Sequence, residues 1–113
     1  IARVNVLLQV NLGDEDSKSG TDADGAIALY RAVKALDRLA VRGLMTLPPF
    51  LEPEEVRPYF RQLRELRDRI VREEGADPRV FSELSMGMSG DFDVAIEEGA
   101  TMVRLGTILF GER

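Results

Sequence analysis

Apolar runs of strand length alternate along this chain with segments of helical hydrophobic period, and few folds accommodate that rhythm. Val4 to Leu12 (VNVLLQVNL) is apolar and rich in β-branched residues, and it ends at Gly13. The polar stretch Asp14 to Asp24 that follows offers nothing to a core and reads as a loop. From Gly25 to Ala40, residues Ala26, Leu29, Tyr30, Val33, Leu36, Leu39 and Ala40 recur at helical spacing, with Asp22 or Asp24 as N-cap. Val41 to Leu47 (VRGLMTL) reads as a second strand, stopped by Pro48 and Pro49, which lack backbone donors. The spacing of Val56, Tyr59, Phe60, Leu63, Leu66, Ile70 and Val71 predicts a long helix over Pro53 to Glu74, with Pro53 in its first turn and Gly75 as its stop. Val80 to Met86 and Thr101 to Phe110 read as further strands around a short helix, Asp91 to Glu98, closed by Gly99.

The order βαβαβαβ predicts a parallel sheet with crossover helices, either an open doubly wound sheet or part of a (β/α) barrel. A full barrel takes about 250 residues, and this chain has 113. Neither repeats nor a linker divide it, so a single domain is expected.

Composition removes several chemistries. There is no cysteine, histidine or tryptophan, which excludes disulfides, thiolate nucleophiles and histidine catalysis by these residues. A net charge of −5 argues against a general nucleic-acid binder. No apolar run reaches the roughly 20 residues of a membrane helix, and no leader-like pattern is seen, so a cytoplasmic location is expected. Metal binding would fall to carboxylates alone, and Asp14, Glu15 and Asp16 lack the spacing of a calcium loop. No metal site is expected.

Strand alternation places Val103 and Leu105 toward the helices and Met102, Arg104 and Gly106 on the opposite, interior face. A guanidinium cannot escape burial by deprotonation, so Arg104 needs a partner. Glu83 on the preceding strand would make it half of a structural ion pair; a ligand anion or ring nitrogen is the other reading, and both stay open. Ser85, Met86, Gly87, Met88 and Ser89 follow the third strand, and Gly106 and Thr107 lie on the fourth. Such residues at the carboxyl ends of parallel strands suit a phosphate, and equally suit an N-cap serine with turn glycines. Lys18 lies in the polar loop and reads as a loop cation or phosphate contact, whereas Lys34 is on the polar side of a helix. Arg61, Arg64 and Arg72 alternate with Glu65, Asp68 and Glu73, a pattern of i,i+4 pairs expected on a solvated face.

Leu84 to Arg113 (LSMGMSGDFDVAIEEGATMVRLGTILFGER) resembles the pyridoxal phosphate homeostasis protein family. The resemblance extends through Gly43 to Pro49 (GLMTLPP) and Val4 to Gly20 (VNVLLQVNLGDEDSKSG), three blocks in the family's order covering nearly the whole chain. It implies a parallel (β/α)8 barrel of the alanine-racemase type, of which residues 1–113 would be the C-terminal half, about the last four strands of a TIM barrel. It implies pyridoxal 5′-phosphate (PLP) as cofactor, with Ser85, Met88, Ser89, Gly106 and Thr107 around the phosphate and Arg104 at the pyridine nitrogen. Met45 would be an apolar wall or core. The family's Schiff-base lysine belongs to a segment outside these residues; neither Lys18 nor Lys34 occupies that motif. The function implied is PLP binding for vitamin B6 homeostasis without established turnover, no catalytic residue being assigned here; the alternative is a racemase-like PLP enzyme whose lysine lies elsewhere. Expected partners are the missing N-terminal half of the barrel or a second copy, and enzymes that accept PLP.

Overall fold

The computed structural model describes residues 3–12, 21–49 and 51–105. The elements run β1 (Val4–Gln9), α1 (Ala23–Val33), β2 (Leu39–Met45), α2 (Pro53–Glu74), β3 (Glu83–Ser85) and α3 (Phe92–Glu97). The strands form one sheet in the order β1-β2-β3 with both pairings parallel, as the alternation requires.

The expected fourth strand begins within the described residues. Met102 forms a parallel bridge with Ser85, Met102 N–H donates to the Leu84 carbonyl at 3.2 Å, and Met86 N–H donates to the Met102 carbonyl at 3.0 Å. The remainder of Thr101 to Phe110, with Gly106 and Thr107, lies outside the described residues, as do Asp14 to Gly20 with Lys18.

α2 has the bounds its periodicity predicts. Val56, Phe60, Leu63, Leu66 and Ile70 form one buried stripe, Glu52 and Glu55 close the first turn with reciprocal bonds, and Gly75 ends the helix at φ 71°. The first helix is shorter than its pattern. Asp22 is its N-cap, accepting the Gly25 N–H at 2.8 Å, but the helix stops at Val33 and the chain turns through Leu36, so Leu39 and Ala40 open β2 instead. Leu39 and Ala40 are both good helix formers, so it is the ladder on the neighbouring β1 edge, not propensity, that takes them into the strand.

One sheet face carries the core. Leu8, Val10, Val41, Leu44 and Leu84 meet Ile27 and Tyr30 of α1, the α2 stripe, and Val94 and Ala95 of α3. The Tyr30 ring meets Phe81 edge-on, with centroids 5.2 Å apart. Arg42 is the extra residue of a bulge, since Val6 pairs with Val41 but Leu7 pairs with Gly43. Beyond it Leu44 falls on the core side, and a side chain at Gly43 would run into the Glu83 carbonyl.

The other face bears Leu7, Gln9, Met45, Glu83 and Ser85, all only part-buried. No described element covers it. Among the described residues no helix is long and apolar enough to cross a membrane, and no group of three acidic side chains is placed to hold a metal ion.

Candidate functional site

β2 and β3 deliver their carboxyl ends to one small cleft lined by Thr46, Leu47, Pro48, Ser85, Met86, Gly87, Met88, Asp91 and Arg104. Thr46 locks this end of the sheet. Its N–H donates to the Ser85 carbonyl at 3.1 Å, and its buried hydroxyl donates to the Val10 carbonyl at 2.7 Å. Gly87 has φ 104°, and a Cβ there would lie 2.6 Å from the Ala95 Cβ, so the loop after β3 lies directly on α3 because this residue has no side chain.

Of the expected site residues, the structure brings together Ser85, Met88 and Arg104. Ser89 sits half-buried in the adjoining turn without lining the cleft. Arg104 lies on the face away from the helices, as strand alternation predicts, near Ser85 and Met45, and its Nη2 lies 4.0 Å from the Met45 Sδ. Met45 is thus beside the site and not in the core.

The burial expected of Arg104 is not formed: the side chain is exposed. Alternation assigns a face, but burial needs atoms on the far side of it, and the described residues supply none. The Glu83 ion pair is also not formed. Glu83 accepts the Ser82 hydroxyl at 3.0 Å, and hydrogen bonding from Thr101 and then Ser82 holds its carboxyl below the usual range. Among the described residues no carboxylate salt-bridges Arg104, which leaves a permanent cation at the mouth of a cleft containing a serine hydroxyl. Lys34, the C-cap of α1, is exposed and places its ammonium 5.5 Å from the Tyr30 ring centroid.

The helix expected to show a solvated row of i,i+4 pairs does something else. Arg57, Arg61 and Arg64, one position on from the buried stripe, converge on Glu98, which is 5% exposed. The Glu98 carboxylate accepts from Arg57 at 2.9 Å, Arg61 at 3.1 Å and Arg64 at 3.3 Å, while its carbonyl accepts Arg64 Nη1 at 3.1 Å. Arg57 also pairs with Glu54 and Glu97. The bonds from Arg61 and then Arg57 lower the Glu98 carboxyl from 4.5 to about 2. Exposed i,i+4 pairs stabilise a helix by only about 0.3–0.5 kcal/mol, so a desolvated carboxylate draws Arg61 from Glu65 and Arg64 from Asp68. Asp68 pairs with Arg67 instead. The signal was present in the sequence: arginines spaced 57, 61, 64, and a glutamate at the C-terminal end of a short helix, where the helix dipole disfavours it unless cations are near.

The family model described as alanine racemase, N-terminal domain, matches residues 2–113. The chain belongs to that family. Among curated relatives, it is 54% identical over 110 residues to the pyridoxal phosphate homeostasis protein of Aquifex aeolicus, covering 96% of this chain and 47% of that protein. It is 44% identical over 112 residues to the protein of the same name from Escherichia coli K12, covering 97% and 46%. Among solved structures, a Bifidobacterium adolescentis protein described as unknown superposes with a TM-score of 0.85 at 43% identity over 96% of this chain and 44% of that one. PipY of Synechococcus elongatus, in a structure with PLP bound, superposes with a TM-score of 0.82 at 34% identity over 97% of this chain and 50% of that one. The chain spans about half the length of the curated relatives it matches. For this member of the alanine racemase N-terminal family, three parallel strands and the start of a fourth are compatible with half a barrel.

Proposed function

We propose that these residues form the C-terminal half of a single (β/α)8 barrel that holds PLP in the cleft at the carboxyl ends of β2 and β3 and serves vitamin B6 homeostasis. The observation that carries this reading is Arg104, a cation without a carboxylate partner among the described residues, beside Ser85 in that cleft. The names of the curated relatives and the PLP in the PipY structure point the same way.

The donor set fits a phosphorylated pyridine. Arg104 would donate to the ring nitrogen, Met45 would wall the ring, and Ser85, Met88 and Ser89 would border the phosphate, with Gly106 and Thr107, outside the described residues, expected beside them. When bound, PLP supplies an electrophilic aldehyde on an electron-withdrawing ring. A guanidinium cannot give up its proton, so Arg104 keeps the ring nitrogen unprotonated and weakens that electron withdrawal. The site therefore favours holding the cofactor over carbanion chemistry. A further barrel half covers the open face carrying Leu7, Met45 and Ser85. Enzymes that accept PLP are the expected recipients, in the cytoplasm.

Equilibrium dialysis against PLP, with the bound fraction read by absorbance, tests the reading on these residues alone and with the complementary half. Saturable binding is expected, strongest in the completed barrel. Arg104→Leu should keep part of the affinity and shift the absorption maximum of bound PLP. A variant with both parental affinity and parental spectrum would remove Arg104 from the site.

A further inference from the structure

Asp91 occupies the N-cap position of α3, yet its side chain bonds none of that helix's amides. Its Oδ1 turns back and accepts the Met88 N–H at 2.7 Å, while the Asp91 N–H donates to the Met88 carbonyl at 3.1 Å. The turn Met88-Ser89-Gly90-Asp91 is closed from both ends. Upstream, the same loop is tied to the strand that carries Arg104, through Arg104 N–H donating to the Gly87 carbonyl at 3.0 Å. One side of the loop is thus held by a main-chain bond to Arg104, and the other by one main-chain bond and one carboxylate. That carboxylate lines the cleft together with Ser85 and Arg104.

We infer that Asp91 is a positioning residue: its carboxylate fixes the Met88–Asp91 turn, and with it Met88 in the cleft and Ser89 beside it, so that this turn meets a ligand phosphate at a set distance from Arg104. This rests on the functional reading above and adds a residue to it. A negative charge in a cleft for an anion is unfavourable in itself, so Asp91 works against the ligand's charge and for the loop's geometry. Hydrogen bonds with an ionised partner are about twice as strong as neutral ones, and a loop ordered before the ligand arrives spares the ligand that ordering cost. Replacement can separate the two effects, since asparagine keeps the acceptor oxygen without the charge and alanine removes both.

The test is dialysis of PLP and of pyridoxal, which lacks the phosphate, against the PLP-binding form of the whole protein. Asp91→Ala should weaken PLP about tenfold, in line with loss of one charged hydrogen bond, with pyridoxal changing by less than about threefold. Asp91→Asn should bind PLP at least as well as the parent. In the 1H–15N spectrum without ligand, the Met88 amide should move upfield in the alanine variant and stay near its parental position in the asparagine variant. If the alanine variant does not fold, Asp91→Ser, too short to reach Met88, takes its place with the same expectations. Parental PLP affinity in that variant, or equal weakening of PLP and pyridoxal, overturns the assignment while leaving the functional reading in place. A parent that holds no PLP overturns both.

Discussion

Glu98→Gln is the substitution whose outcome the structure fixes most tightly. The carboxylate is 6% exposed and faces guanidiniums of Arg57, Arg61 and Arg64 that are 24%, 51% and 33% exposed. A carboxyl held at about 2 in place of 4.5 corresponds to an upper limit of about 3 kcal/mol of native-state stabilisation. Solvent screening of the part-exposed arginines lowers this, and about 1–2 kcal/mol is the expected loss. The amide has the same shape and can still accept a hydrogen bond, so the loss reports charge and not a cavity. Glu65→Gln, on the same helix but outside the cluster, should cost less than about 0.5 kcal/mol.

The pH dependence carries the sharper test. The folded value of Glu98 is depressed, so its contribution is complete above the unfolded value of 4.5 and disappears as pH falls toward about 2. Urea unfolding of parent and Glu98→Gln should show a gap that is constant from pH 7 to about 5.5 and narrows steadily below that. A gap that persists unchanged at pH 3, or a Glu98→Gln midpoint equal to that of Glu65→Gln, would refute the view that the three arginines hold an ionised carboxylate.

Two further substitutions probe the frame around the cleft. Gly87→Ala forces a side chain onto Ala95 at a positive φ and should cost about 1–3 kcal/mol in urea unfolding and weaken PLP binding with it; parental stability would mean that the loop does not rest on α3 as described. Phe60→Ala empties a fully buried position at the centre of the α2 stripe and should cost about 3–5 kcal/mol, whereas a loss below 1 kcal/mol would contradict that packing.

Features governed by local periodicity could be read directly from the chain. The bounds of α2 follow from five apolar residues on one stripe between a proline and a glycine, and the parallel sheet follows from the alternation of elements. An aspartate N-cap, at Asp22 or Asp24, was legible for the same reason, being a short acceptor beside free helix amides, and the structure uses Asp22. The junction of α1 and β2 was not, because Leu39 and Ala40 fit a helical period and a strand equally well, and only the β1 edge decides between them.

The site divides along the same line. Alternation placed Arg104 on the face opposite the helices, and the structure sets it there beside Met45, but the partner of Arg104 is a tertiary matter that strand pattern cannot reach. Pairing by sequence distance failed in both directions. Glu83 looked available to Arg104 and accepts the Ser82 hydroxyl instead, while Arg61 and Arg64 looked matched to their i+4 neighbours and are drawn to Glu98. In each case the carboxylate with less access to water, or with hydroxyl donors already aimed at it, determines the pairing, since water serves an exposed charge almost as well as a partner does. Among the described residues no carboxylate salt-bridges Arg104, although Asp91 lines the same cleft, and the proposed ligand role rests on that unpaired cation.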